Sequence, residues 1–220
     1  MSITSAPIRR SSTTPTRRTA VSRWTMAALT SVLLVTTGYL VGASRSALHV
    51  PRDGSVDVGF VRDMLVHHSQ AVVLAMIMVQ RATVPAVREM AEEIATSQQR
   101  EVGQMAGWLR QWGLPETTTA PAMRWMAHPP PAVADADPPM PGMATRRDVA
   151  RLAVTRGRDA DVLFCRLMLP HHRGALHMTD EVMRGASRPE VIALAAQMRT
   201  VQQREITQLN QLLAQLTGAP

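Results

Sequence analysis

The chain has 220 residues, of which 45% are hydrophobic and 3% aromatic, with 15 Met, a single Cys and a formal net charge of +7. That length holds one domain with a substantial core, and the lone Cys165 excludes an internal disulfide and reads as a small buried hydrophobe. The charge does not make a nucleic-acid surface: all 24 basic residues are Arg, seven of them precede the first acidic residue, Asp53, and the remaining 17 balance 17 acids.

Residues 1–23 are polar and basic, an expected cytoplasmic tail. Residues 24–44, WTMAALTSVLLVTTGYLVGAS, carry no charge and form the first predicted element, a transmembrane helix. About 20 residues suffice to cross a bilayer. Five arginines lie before this stretch and two soon after it, Arg45 and Arg52, so the positive-inside rule sends the rest of the chain out of the cytoplasm. Retained, the segment makes a single-pass cell-membrane protein; cut near Val41-Gly42-Ala43, where residues are small, it is a signal peptide and the protein is secreted. Residues 45–56 read as a linker.

From Asp57 the chain repeats itself. FVRDMLVHHSQA from Phe60 returns as FCRLMLPHHRGA from Phe164, and QQRE from Gln98 returns as QQRE from Gln202. Every partner lies at the same offset as His67 and His171, and roughly twenty of nearly sixty aligned positions are identical. Each copy reads as a helical hairpin, over 57–113 and 145–218. Phe60, Val61, Met64, Leu65, Ala71, Leu74, Ala75 and Met78 follow helical spacing. The pattern stops before Pro85; at the matching place Ser187, Pro189 and Glu190 form an expected capping box with proline in the first turn. The second helices are expected to run to Gly113 and Gly218. Residues 114–144 form a Pro/Met-rich crossover, and a short helix is expected over 146–156 with Thr145 as N-cap. The fold class is therefore all-α: a four-helix bundle of two duplicated hairpins related by a pseudo-two-fold axis, behind the N-terminal helix.

The second helix of each hairpin has an inward stripe that turns polar halfway: Val87, Ala91, Ile94, Gln98, Glu101, Met105, and again Val191, Ala195, Met198, Gln202, Glu205, Leu209. Buried amides and carboxylates need partners. His67 lies about sixteen residues before the hairpin turn and Glu101 about seventeen after it, which puts them at one height in antiparallel helices. A polar layer is thus expected from His67, His68, Gln98, Glu101, His171, His172, Gln202 and Glu205, with Met64 and Met168 one turn away. The spacing leaves open which histidine of each pair faces the core. Imidazole with thioether suits copper, above all Cu(I); imidazole with carboxylate suits Zn, Fe or Cu(II). The candidate ligands are His67, His68, His171, His172, Met64, Met168, Glu101 and Glu205, supported by Gln98, Gln202, Asp57 and Asp161. Met123, Met126, His128, Met140 and Met143 add possible ligands in the crossover. A di-iron oxidase needs Glu-x-x-His, and here Gln104 and Gln208 follow the glutamates, so an enzyme is the weaker reading.

With Asp57, Phe60, Met64, His67, His68, Ala71, Gln98 and Glu101, matched by Asp161, Phe164, Met168, His171, His172, Ala175, Gln202 and Glu205, the sequence resembles the DUF305 family. The MPGM of 140–143 is similar to that family too. The resemblance implies a ferritin-like bundle, export, and an association of some members with copper binding and tolerance. It implies no settled enzymatic activity. The expected function is membrane-anchored, extracytoplasmic copper sequestration, another transition metal remaining open. The alternatives are a metal-dependent oxidoreductase and a metal-free interaction bundle. The expected partners are the membrane and a metal ion, not nucleic acid; no oligomeric state follows from the sequence.

Overall fold

The computed structural model describes residues 17–47, 50–128 and 140–218. Most of the basic tail (1–16) and the middle of the crossover (129–139) lie outside the described residues. The described residues up to Val50 form one unit and those from Pro51 a second.

The first unit is α1 (Arg17–Ala47). Its stretch Trp24–Gly42 has a mean hydropathy of 1.5 and is the one helix among the described residues long and apolar enough to cross a membrane. Leu29, Leu33, Leu34, Val35 and Leu40 all lie exposed on it. Its hydroxyls are already engaged: Thr30 donates to Met26 O at 2.9 Å, Ser31 to Ala27 O at 2.9 Å and Thr36 to Val32 O at 2.8 Å. Such back-bonding removes most of the cost of carrying hydroxyls into hydrocarbon.

The second unit is the four-helix bundle of α2 (Val56–Arg81), α3 (Pro85–Gln111), α5 (Gly157–Gly185) and α6 (Pro189–Thr217), with the short α4 (Arg146–Val154) ahead of the second hairpin. No strand occurs among the described residues. In α2, Ser55 is the N-cap and accepts from Val58 N–H at 3.3 Å. In α4, Thr145 accepts from Asp148 N–H at 3.0 Å, as expected. That helix ends two residues short of expectation, because Gly157, at φ 64°, opens α5 instead of closing α4. Gly113 and Gly218, at φ 69° and 68°, close α3 and α6 in the left-handed conformation that glycine adopts most cheaply. Pro170 stays inside α5, which continues through it as one helix.

The caps of α3 and α6 differ from expectation. The N-cap residues Val84 and Arg188 give no side-chain cap. The carboxylates come from the opposite repeat. Asp57 at the start of α2 accepts from Ser187 N–H at 3.1 Å and Arg188 N–H at 2.8 Å. Asp161 at the start of α5 accepts from Thr83 N–H and Val84 N–H, both at 3.2 Å, and from the Thr83 hydroxyl. Thr83 pairs with Ser187, and Val84 with Arg188, at the repeat offset, so the exchange is reciprocal. The N–H of Ser187, which a capping box would give to Glu190, is held by Asp57.

Two apolar clusters fill the bundle. One joins the first half of α2 (Val58, Phe60, Met64) to the last turns of α3 (Met105, Leu109) and to Met178 of α5 and Met198 of α6. The other joins the second half of α2 (Leu74, Met78) to Val87 and Ile94 of α3, Phe164 and Met168 of α5 and Leu209 of α6. The missing middle of every helix is polar, and that middle is the layer the repeats place at one height.

Candidate metal centre

The layer is sealed from solvent. His67, His68, His172 and Glu205 are fully buried, and His171, Gln98, Gln202 and Glu101 nearly so. His172 Nε2 and Glu205 Oε2 are hydrogen-bonded at 2.6 Å. The matching pair, His68 Nε2 and Glu101 Oε2, lies at 3.0 Å, close enough for an ion pair but without hydrogen-bond alignment. Both second histidines therefore turn toward the glutamate of their own hairpin. The first histidines turn toward each other: the rings of His67 and His171 have centroids 3.9 Å apart.

The ring of His67 is held by a main-chain carbonyl. His67 Nε2 lies 3.1 Å from Pro141 O. A carbonyl can only accept, so Nε2 carries the hydrogen and Nδ1 the free lone pair. The ring of His171 lies tilted by 39° against that of His67. Nδ1 of His67, His68 and His172, Nε2 of His171, Oε1 of Gln98, both amide atoms of Gln202 and Oε1 of Glu205 have no protein partner. A buried polar atom in that state costs about 1–3 kcal/mol, so the layer is chemically unfinished by the chain's own atoms. Among the described residues no group of three or more His, Cys, Asp or Glu is poised to hold a metal ion. The closest approach between rings from different helices is the His67–His171 pair.

The remaining candidates divide. Met64 and Met168 are fully buried, one in each apolar cluster, on opposite sides of the layer. Asp57 and Asp161 do not support the histidines; they sit at the two hairpin turns as the caps described above. Nor is the crossover an open methionine trap. Met123, Met126, Met140 and Met143 are 5%, 7%, 0% and 3% exposed and pack in the cluster that contains Met64. A thioether is apolar enough to be core first. Asp63 pins the first of these segments, accepting from Met123 N–H at 2.7 Å and Trp125 Nε1–H at 2.9 Å. His128 alone of this set is exposed. Cys165 is buried beside Phe164; desolvation, and then the charge of Asp161, push its thiol up to about 12.

Sequence reasoning missed the strap formed by Met140–Ala144. Ala144 receives Gln70 Nε2–H on its carbonyl at 3.0 Å and gives its own N–H to Gln70 Oε1 at 2.7 Å. Two glycines let the strap lie on α5. A Cβ on Gly142 would fall 2.0 Å from Pro170 O, and one on Gly174 would fall 2.1 Å from Pro141 O. Gln70 and Gly174 are partners in the repeat, so the broken symmetry at that offset was the available signal.

A family model described as a domain of unknown function, DUF305, matches residues 57–213. The chain belongs to the DUF305 family. A DUF305 protein from Streptomyces coelicolor, described as a proposed secreted protein, is 36% identical with a TM-score of 0.68, over 76% of this chain and 95% of that one. A DUF305 fragment from Deinococcus radiodurans is 34% identical with a TM-score of 0.60, over 73% and 96%. CopM in its Cu(I)-bound form is 27% identical with a TM-score of 0.55, over 70% and 93%. CopM has also been solved bound to Cu(II) and to Ag. No curated protein matches the chain.

Burial sets the protonation of the central pair in this DUF305 bundle. Desolvation, followed by repulsion from His68, lowers His67 from 6.5 to about 3. His171 is lowered well below 6.5 by desolvation and then by His67. Both are neutral at physiological pH and present lone pairs. The unfolded chain takes up these protons below about pH 6.5 and the folded one does not, so metal-free stability falls as pH drops from there toward 3. At pH 5 the deficit from His67 alone is about 2 kcal/mol. Urea unfolding with chelator at pH 7.5 and pH 5 measures it, and His67→Gln is expected to reduce the dependence by that share, His171 keeping its own.

Proposed function

We propose that this DUF305 protein is an exported copper-binding bundle that sequesters the ion in its buried histidine layer, tethered to the cell membrane by α1. One observation carries the reading: four sealed imidazoles each have a ring nitrogen without a partner, two of them in rings 3.9 Å apart. Neutral imidazole flanked by thioether is a donor set that suits copper. The residues fit such an ion, with His67 and His171 as the central donors, His68 and His172 beside them, and Met64 and Met168 above and below. Glu101 and Glu205 fit better as partners that orient His68 and His172, the usual outer support of a metal-bound imidazole. The copper- and silver-bound states of CopM, a protein of the same architecture, support the choice of metal. The five arginines ahead of the apolar helix support an outward-facing bundle.

The test is metal analysis of the full chain, purified in detergent from its own envelope without added metal, and then loaded with Cu(I) under reducing conditions. Wild type is expected to hold copper. The variant with His67, His68, His171 and His172 all replaced by alanine is expected to hold none above background. Equal loading of the two would end this reading and leave a metal-free bundle whose His–Glu pairs serve register alone.

A further inference from the structure

The strap and the central histidine make a chain of contacts with a chemical consequence. Gln70 uses both ends of its amide on one residue of the strap, Ala144. Three residues back, Pro141 presents its carbonyl to His67 Nε2 at 3.1 Å. The strap backbone is wedged there, because Gly142 and Gly174 leave no room for a Cβ between it and α5. Gly142, at φ 73°, also makes the turn that only glycine makes without strain. An imidazole bonded through one nitrogen to a fixed carbonyl is locked in a single tautomer. The other nitrogen of His67, Nδ1, is buried and has no partner.

We propose that Gln70 is a positioning residue: by clamping the strap so that Pro141 O accepts from His67 Nε2–H, it makes His67 offer Nδ1, and only Nδ1, to the bound ion. The clamp stands on the contacts alone; its meaning for the ion rests on the metal-binding reading above. It also makes the duplicated site one-sided. At the position equivalent to Gln70 the second repeat has Gly174, which lies under the strap instead of holding it. His171 Nε2 is buried without a protein partner. The strap carbonyl thus bonds one ring of the pseudo-symmetric pair, that of His67.

The experiment uses the metal-free full chain, labelled with 15N in its histidines and held in detergent micelles. Long-range 1H–15N correlation reads the tautomer, and His67→Gln assigns the signal. Wild type is expected to show His67 protonated at Nε2. Gln70→Ala is expected to give a mixture of tautomers, with circular dichroism unchanged. Gly174→Ala is expected to give the same mixture by lifting the strap from the other side. Cu(I) affinity, read by competition with a chromophoric chelator, is expected to fall about 10–100-fold in both variants, the loss typical of removing an outer partner of a metal-bound imidazole. A wild-type His67 protonated at Nδ1 overturns the clamp whatever the copper result. An unchanged tautomer or an unchanged affinity in Gln70→Ala overturns the role of Gln70. Wild type that takes up no Cu(I), while the tautomers respond as stated, removes the metal reading and leaves the clamp standing.

Discussion

Alanine at both Asp57 and Asp161 is expected to cost the bundle about 4 kcal/mol, close to the whole stability of many domains. Each carboxylate holds the first free N–H groups of a helix in the other repeat, Asp57 those of α6 and Asp161 those of α3. Removing one strips a charged capping acceptor from a helix N-terminus and leaves the donors of a half-exposed turn unpaired, worth about 2 kcal/mol per site. The two sites share no partner, so the losses should add. Asn in place of Asp keeps an acceptor and loses the charge, and should cost less than Ala. Urea unfolding followed by circular dichroism decides it. A double variant within about 0.5 kcal/mol of wild type would show that the cross-repeat caps are replaceable by water.

Copper is expected to raise the unfolding temperature of the chain and a chelator to lower it again. A ligand that binds only the folded state stabilises by about 2.7 kcal/mol at one hundred times its dissociation constant. For a domain of this size that is a shift of about 5–10 °C. The shift should vanish when His67 and His171 are both alanine, because the central pair disappears. It should persist in Met123→Leu and Met126→Leu, whose thioethers are core packing. Differential scanning fluorimetry with Cu(I), with and without chelator, makes the comparison. A shift that survives loss of both central histidines would place the ion elsewhere.

The bundle was legible because the duplication doubles every local signal. Helical spacing in one repeat is checked by the other, and equal distances from His67 and Glu101 to the hairpin turn set the height of the layer. The misreadings share a cause. Asp57 and Asp161 looked like part of the histidine motif because they precede it on the same helix. Ten residues of helix put them about 15 Å along the axis, at the far turns. Ser187 and Glu190 have the spacing of a local cap, yet the acceptor arrives from another helix. The crossover methionines look like a ligand run in sequence. In the fold they are buried hydrophobes, Met123 and Met126 in a segment pinned by Asp63 and Met140 and Met143 in the strap held by Gln70.

The chain's pattern alone determined the helices, the duplication, the apolar membrane-length segment and the level at which polar side chains cross the bundle. These depend on period, offset and rise per residue, which are properties of one strand of sequence. Only the tertiary structure decided that His67 meets His171 while His68 and His172 turn to glutamates, that caps are exchanged between repeats, and that a five-residue strap sits against the central histidine. Those outcomes depend on which helix faces which, and on whether a backbone can approach within contact of another. Hydrogen-bond partners separated by 74 or 130 residues leave no mark in local spacing.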